Sequence, residues 1–112
     1  MKNYNKVINI IGKKWFDKIN GNTYHSVTIE VTNDGQTKTY YQGLTYGYGD
    51  QWQYTAIQLL KDKGVLKNIT RKYKGSEQRY TIGLWQLKAR LEKYGKTLIS
   101  SYCYDVNRKK DL

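Results

Sequence analysis

Proline is absent from the chain, cysteine and histidine occur once each, and acidic residues number 9 against 20 Lys and Arg. The single Cys103 excludes an internal disulfide and every multi-cysteine zinc or iron–sulfur site, and the single His25 excludes the two-histidine metal motifs. No apolar run approaches the length that spans a bilayer. The first twelve residues lack the apolar core and small-residue cleavage site of a signal peptide. These absences remove most metalloenzyme classes and predict a soluble, cytoplasmic protein with no cofactor and no membrane partner.

What is present is enough for one self-supporting domain. The 112 residues are 38% apolar and 14% aromatic, which argues against disorder, and they read as a single α+β domain over residues 1–112. The net charge is +11, unevenly placed: residues 61–112 hold 14 Lys and Arg against 5 Asp and Glu, whereas residues 19–60 are net acidic. One face or rim of the domain should therefore be strongly positive.

Period-two alternation over residues 22–32 sets His25, Val27, Ile29 and Val31 on one face and Tyr24, Ser26, Thr28 and Glu30 on the other, which predicts a half-buried strand. Asn33-Asp34-Gly35 tolerates positive φ, so residues 36–42 are expected to return as its antiparallel partner. The β-branched run at residues 7–16 predicts a first strand. Asp50 is placed as the N-cap of a helix carrying Trp52, Ala56, Leu59 and Leu60 on one stripe, with Gly64 closing it. A second helix, with Thr81 as cap and Gly95 as terminator, puts Leu84, Leu87, Leu91 and Tyr94 on one face. Residues 97–106 read as a closing strand. The expectation is a small, mostly antiparallel sheet with two helices packed on one face; no reading is made for residues 65–80.

Chemistry is sought first in residues 43–50, Gly-Leu-Thr-Tyr-Gly-Tyr-Gly-Asp. Glycines there let backbone amides approach an anion, and the spacing matches neither a P-loop nor a dinucleotide fingerprint. Gly47 and Gly49 are taken as ligand contacts on that basis. Tyr46 and Tyr48 lie in the same segment, Tyr40 and Tyr41 precede it, Trp52 follows and Tyr24 lies upstream, all rings that stack on bases. Arg71, within the densest basic and aromatic stretch, and Arg108 and Lys109 at the C-terminus are the expected phosphate contacts, although charge runs also mark solvated faces and terminal ones fray. His25 is placed as a hydrogen-bonding ligand contact beside its blander reading as a structural core histidine. No acid–base pair accompanies it, so no catalytic residue is assigned. Cys103 reads as a buried structural thiol.

Three blocks, Lys14-Trp15-Phe16, Gly21-Asn22-Thr23-Tyr24-His25-Ser26-Val27 and Tyr46-Gly47-Tyr48-Gly49-Asp50-Gln51, together with the terminal Arg108-Lys109-Lys110-Asp111-Leu112, resemble a group of short proteins encoded by tailed bacteriophages. The resemblance implies a phage setting in the host cytoplasm, where small accessory proteins act against host defence; it implies no particular activity. Two functions fit that setting. One is a non-enzymatic protein that sequesters a small nucleotide-derived signal through an aromatic and basic pocket, which can lie at a homo-oligomer interface. The alternative is a nucleic-acid-binding protein or an inhibitor of a nucleic-acid-guided host complex.

Overall fold

Alternating apolar residues build the sheet, and their parity decides which face is covered. The computed structural model describes residues 5–67, 69–94 and 97–112. Strand β1 spans Lys6–Asp17, β2 Asn22–Asn33 and β3 Gln36–Tyr46; helix α1 spans Gln51–Asp62; the short strands β4, Thr70–Lys72, and β5, Arg79–Thr81, precede helix α2, Leu84–Tyr94, and strand β6, Thr97–Val106. Four strands form one sheet in the order β3-β2-β1-β6, and β4 and β5 form a separate two-stranded sheet. The architecture is α+β, as the periodicities predict. The strand at residues 22–32 and its hairpin partner form as expected, turning at Asp34 and Gly35 with φ of 53° and 82°.

The sheet is mostly antiparallel, as expected, with β6 joining β1 in parallel, from Lys6 opposite Thr97 to Trp15 opposite Val106. Three local expectations change. Residues 43–46 continue β3, so the loop is confined to residues 47–50. Thr81 belongs to β5 and does not cap α2; instead the Gln86 side chain accepts a hydrogen bond from the Gly83 amide at 3.2 Å. Asp50 occupies the N-cap position of α1, but its carboxylate makes no capping bond. Gly95, expected to end α2, lies outside the described residues.

The core lies between the sheet and the two helices. Ile8 and Ile10 of β1, Val27, Ile29 and Val31 of β2 and Ile99 of β6 pack beneath Trp52, Ala56, Ile57 and Leu60 of α1 and Leu84 and Leu87 of α2. Gly64, at φ 74°, ends α1 with paired bonds from the amides of Gly64 to Lys61 O and Val65 to Leu60 O, and Val65 packs on the core.

Gly12 allows α1 to approach the sheet: a Cβ there would stand 2.7 Å from Cε3 of Trp52 and 3.2 Å from Sγ of Cys103. Burial, more than any neighbouring charge, raises the Cys103 thiol above its ordinary range. Less thiolate is therefore present at neutral pH. A disulfide reagent should label Cys103 more slowly than a small free thiol at pH 7 to 8, and reach the free rate only on unfolding. Labelling at the free rate in the folded protein would contradict this burial.

Candidate functional site

Both helices lie on one face of the four-stranded sheet, and the opposite face carries an unusual set of side chains. Sheet faces turned to water are ordinarily polar. Here Trp15, Tyr24 and Tyr46 are successive cross-strand partners on β1, β2 and β3. Trp15 stacks on Tyr24 with centroids 5.8 Å apart and planes at 27°, and Tyr24 meets Tyr46 edge-on at 5.7 Å.

Tyr46 owes its place in this row to a bulge. The β2–β3 register shifts between His25 and Val27, so that Gly43 and Leu44 stand opposite Ser26. An uninterrupted strand would give Tyr46 the parity of Tyr40, which packs against the core. With the extra residue, Tyr41 and Tyr46 both emerge on the uncovered face.

The same face carries two further rings on β6, opposite Ile11 and Lys13. Tyr102 and Tyr104 stack at 6.2 Å with planes at 18°, and the Lys13 ammonium lies 6.0 Å from the Tyr104 ring centroid.

The C-terminal segment, expected to fray, is instead docked on this face. Residues Lys109–Asp111 form a 3-10 turn, Arg108 pairs with Asp111 at 3.0 Å, and the Tyr41 hydroxyl donates to the Leu112 carbonyl at 3.0 Å. The segment leaves β6 at one edge of the sheet and reaches β3 at the other, so it crosses β1 and β2. Its cations come with it. The Asp17 carboxyl is held below its ordinary range chiefly by a hydrogen bond from the Asn20 side chain, with a smaller contribution from the nearby Lys109 charge.

Beside the loop at residues 47–50, a cavity of about 490 Å³ opens at the end of the sheet. Lys14, Lys18, Phe16, Thr23, Gly49 and Asp105 are among its walls. Two ammonium groups face one carboxylate there, an arrangement suited to a small anion.

The residues predicted from sequence divide into three groups. Tyr24, Tyr46, Arg108 and Lys109 belong to the uncovered face, and Tyr48 and Gly49 to the adjoining loop; Tyr46 is 64% and Tyr48 70% exposed. His25, Gly47 and Trp52 must be reassigned to the interior. His25 is 1% exposed, with Nδ1 3.1 Å from the Gly47 carbonyl and Nε2 2.6 Å from Thr55 Oγ1. Gly47 donates its amide to Thr23 O, and a Cβ on it would meet Gln51 Cβ at 2.8 Å and His25 Cε1 at 2.9 Å. Its role is close packing, and its amide is already bonded. Trp52, placed near the ligand by its proximity to the loop, is instead the α1 residue lying on Gly12.

Arg71 is separated from the others. It lines a different hollow with Ile82, Trp85, Gln86 and Ala89 on the helical side.

The sequence reading did not place Lys13, Trp15, Tyr102 or Tyr104 at the site. Strand parity was the available signal: Lys13 and Trp15, and likewise Tyr102 and Tyr104, share the face opposite the buried isoleucines. Among the described residues no group of three or more His, Cys, Asp or Glu is arranged to hold a metal ion. No described helix is long and apolar enough to cross a membrane. No family model, curated protein or solved structure matches the chain.

Proposed function

We propose that the protein is a non-enzymatic binder of single-stranded nucleic acid, with bases laid on the ring row of the uncovered sheet face and phosphates met by Lys13 and the C-terminal cations. The observation that carries this reading is the Trp15–Tyr24–Tyr46 row, three rings in register across three strands on the face turned away from α1 and α2. Ring spacings of 5.7 to 6.2 Å exceed the rise of about 3.4 Å between stacked bases. Such rings take bases singly from an unstacked strand. The net charge of +11 is also more than one small ligand requires.

Fluorescence anisotropy with labelled single-stranded DNA and RNA tests this. Tyr46→Ala and Tyr102→Ala should each weaken binding about 5- to 150-fold, the range expected for one lost base–ring stack of about 1–3 kcal/mol. Both rings are exposed, so the melting temperature should hardly move. Affinity should also fall steeply with salt, with a logarithmic slope of about −0.7 per phosphate engaged. Unchanged affinity in both variants would reject the face as the site.

A second reading, sequestration of a small nucleotide-derived signal, is favoured by the two-lysine cavity beside Gly49. A nucleotide retained through gel filtration by the wild type and lost in Tyr48→Ala would support it. Retention of none, with salt-sensitive binding of oligonucleotides, supports the first.

A further inference from the structure

The sheet has two edge strands, and they are built differently. β3 carries Lys38 and a bulge against β2, both devices that stop an edge from pairing with another chain. β6 has neither. Its ten residues contain no proline, lysine or arginine, its register with β1 is unbroken, and among the described residues no strand pairs with its other side. Although residues 61–112 hold 14 Lys and Arg, β6 contains none of them. Two chains of charge +11 repel each other, and the mutual approach of two β6 edges sets no cation of either strand against another.

An exposed indole lies beside this edge. Trp85 of α2 is 83% exposed and shares a hollow with Leu84, Lys88, Ile99, Ser100 and Ser101, which places the indole next to the middle of β6. Trp85, Lys88, Ala89 and Glu92 line one further hollow on α2, a stripe with a small residue at its centre and opposite charges. A stripe of that kind can face its own copy antiparallel. Tryptophan is the residue most enriched at the centres of protein interfaces.

We propose that β6 pairs antiparallel with β6 of a second copy about a two-fold axis at Ser101, joining the two sheets into one of eight strands, with each Trp85 against the other copy's α2. The sequence of β6 is self-complementary in that register. Ile99 stands opposite the second copy's Cys103, Leu98 opposite its Tyr104, Ser100 opposite its Tyr102 and Thr97 opposite its Asp105, so no like charges meet. The pairing does not depend on the nucleic-acid reading. It also brings Tyr102 and Tyr104 of both copies together, so that the two ring rows become one surface.

Sedimentation equilibrium of the full chain, after nuclease treatment and at high salt so that no polynucleotide bridges subunits, tests the pairing. The wild type should sediment at twice the chain mass of 13.2 kDa across the micromolar range. Ser101→Lys, at an exposed position, sets two ammonium groups against each other at the axis and should yield a monomer with an unchanged circular dichroism spectrum. Trp85→Ala, on an exposed helix position, guards against a folding defect in the first variant; it should raise the dimer dissociation constant at least tenfold. A monomeric wild type would overturn the proposal, as would a folded Ser101→Lys dimer or an unchanged constant in Trp85→Ala. Loss of oligonucleotide binding in Tyr46→Ala without loss of the dimer would leave the pairing standing, because the two readouts are separate.

Discussion

Gly12→Ala is expected to lower the melting temperature by roughly 10 °C, against the usual direction of such a change. Replacing glycine by alanine inside a regular element ordinarily helps by about 0.5–1 kcal/mol, because the unfolded chain loses freedom. At Gly12 the added methyl group would stand 2.7 and 2.8 Å from two indole carbons of Trp52. Neither side can yield easily. The indole is 6% exposed and fixed near the start of α1, and β1 is held by strands on both sides. Overpacking of this kind costs about 1–3 kcal/mol, and each kcal/mol corresponds to about 4–8 °C in a domain of similar size. Thermal unfolding followed by tryptophan fluorescence and circular dichroism would measure it. A melting temperature at or above that of the wild type would mean that α1 does not rest on β1 at this point.

His25→Ala should destabilise the protein by about 2–5 kcal/mol, with a consequence for binding although the histidine touches no ligand. A carbonyl only accepts, so Nδ1 carries the proton donated to Gly47 O, while Nε2 shares a hydrogen bond with Thr55 Oγ1, which also lies 3.3 Å from the Gln51 carbonyl. The imidazole ties β2 to both the glycine loop and α1. Its removal leaves a buried cavity and strips two partners from groups that lie inside the fold. Thr55→Val removes only one of the two bonds and should cost about 1 kcal/mol. Denaturant titration separates the two variants. Oligonucleotide affinity should fall in His25→Ala more than in Thr55→Val, because Tyr46 and Tyr48 flank Gly47, which His25 holds. Equal stability of His25→Ala and wild type would remove His25 from this structural role.

Much of the fold was legible because it rests on parity. The alternation through Val27, Ile29 and Val31 fixed β2, and the stripe of Trp52, Ala56, Leu59 and Leu60 fixed α1. That same stripe already placed Trp52 on the buried face; the ligand assignment followed its nearness to the loop and overrode its period. The β4–β5 pair escaped notice because three-residue strands rich in charge carry no usable periodicity. The parallel pairing of β1 and β6 was equally hidden, since nothing local distinguishes a strand that returns beside the first one from a strand that extends the hairpin.

The candidate site was legible in part. Tyrosines and cations were expected together, and Tyr24, Tyr46, Arg108 and Lys109 share the face turned away from the helices. The location of the ring row depends on the bulge opposite Ser26, which changes the parity of Tyr46, and no feature of residues 43–46 alone announces that slip. Trp15 was overlooked because β1 was read for its isoleucines, whereas the residues between them form the opposite surface.

The order β3-β2-β1-β6 also governs how the chain can fold. β1 is central, yet one of its two partners begins at Thr97, so the sheet cannot close until nearly the whole chain is available. Contacts this distant in sequence slow the search for the native state, and until β6 arrives the inner strand offers an open flank to other nascent chains. With no proline in the chain, prolyl isomerisation cannot account for a slow refolding phase. In a stopped-flow experiment, the late kinetics would report the arrival of the last strand.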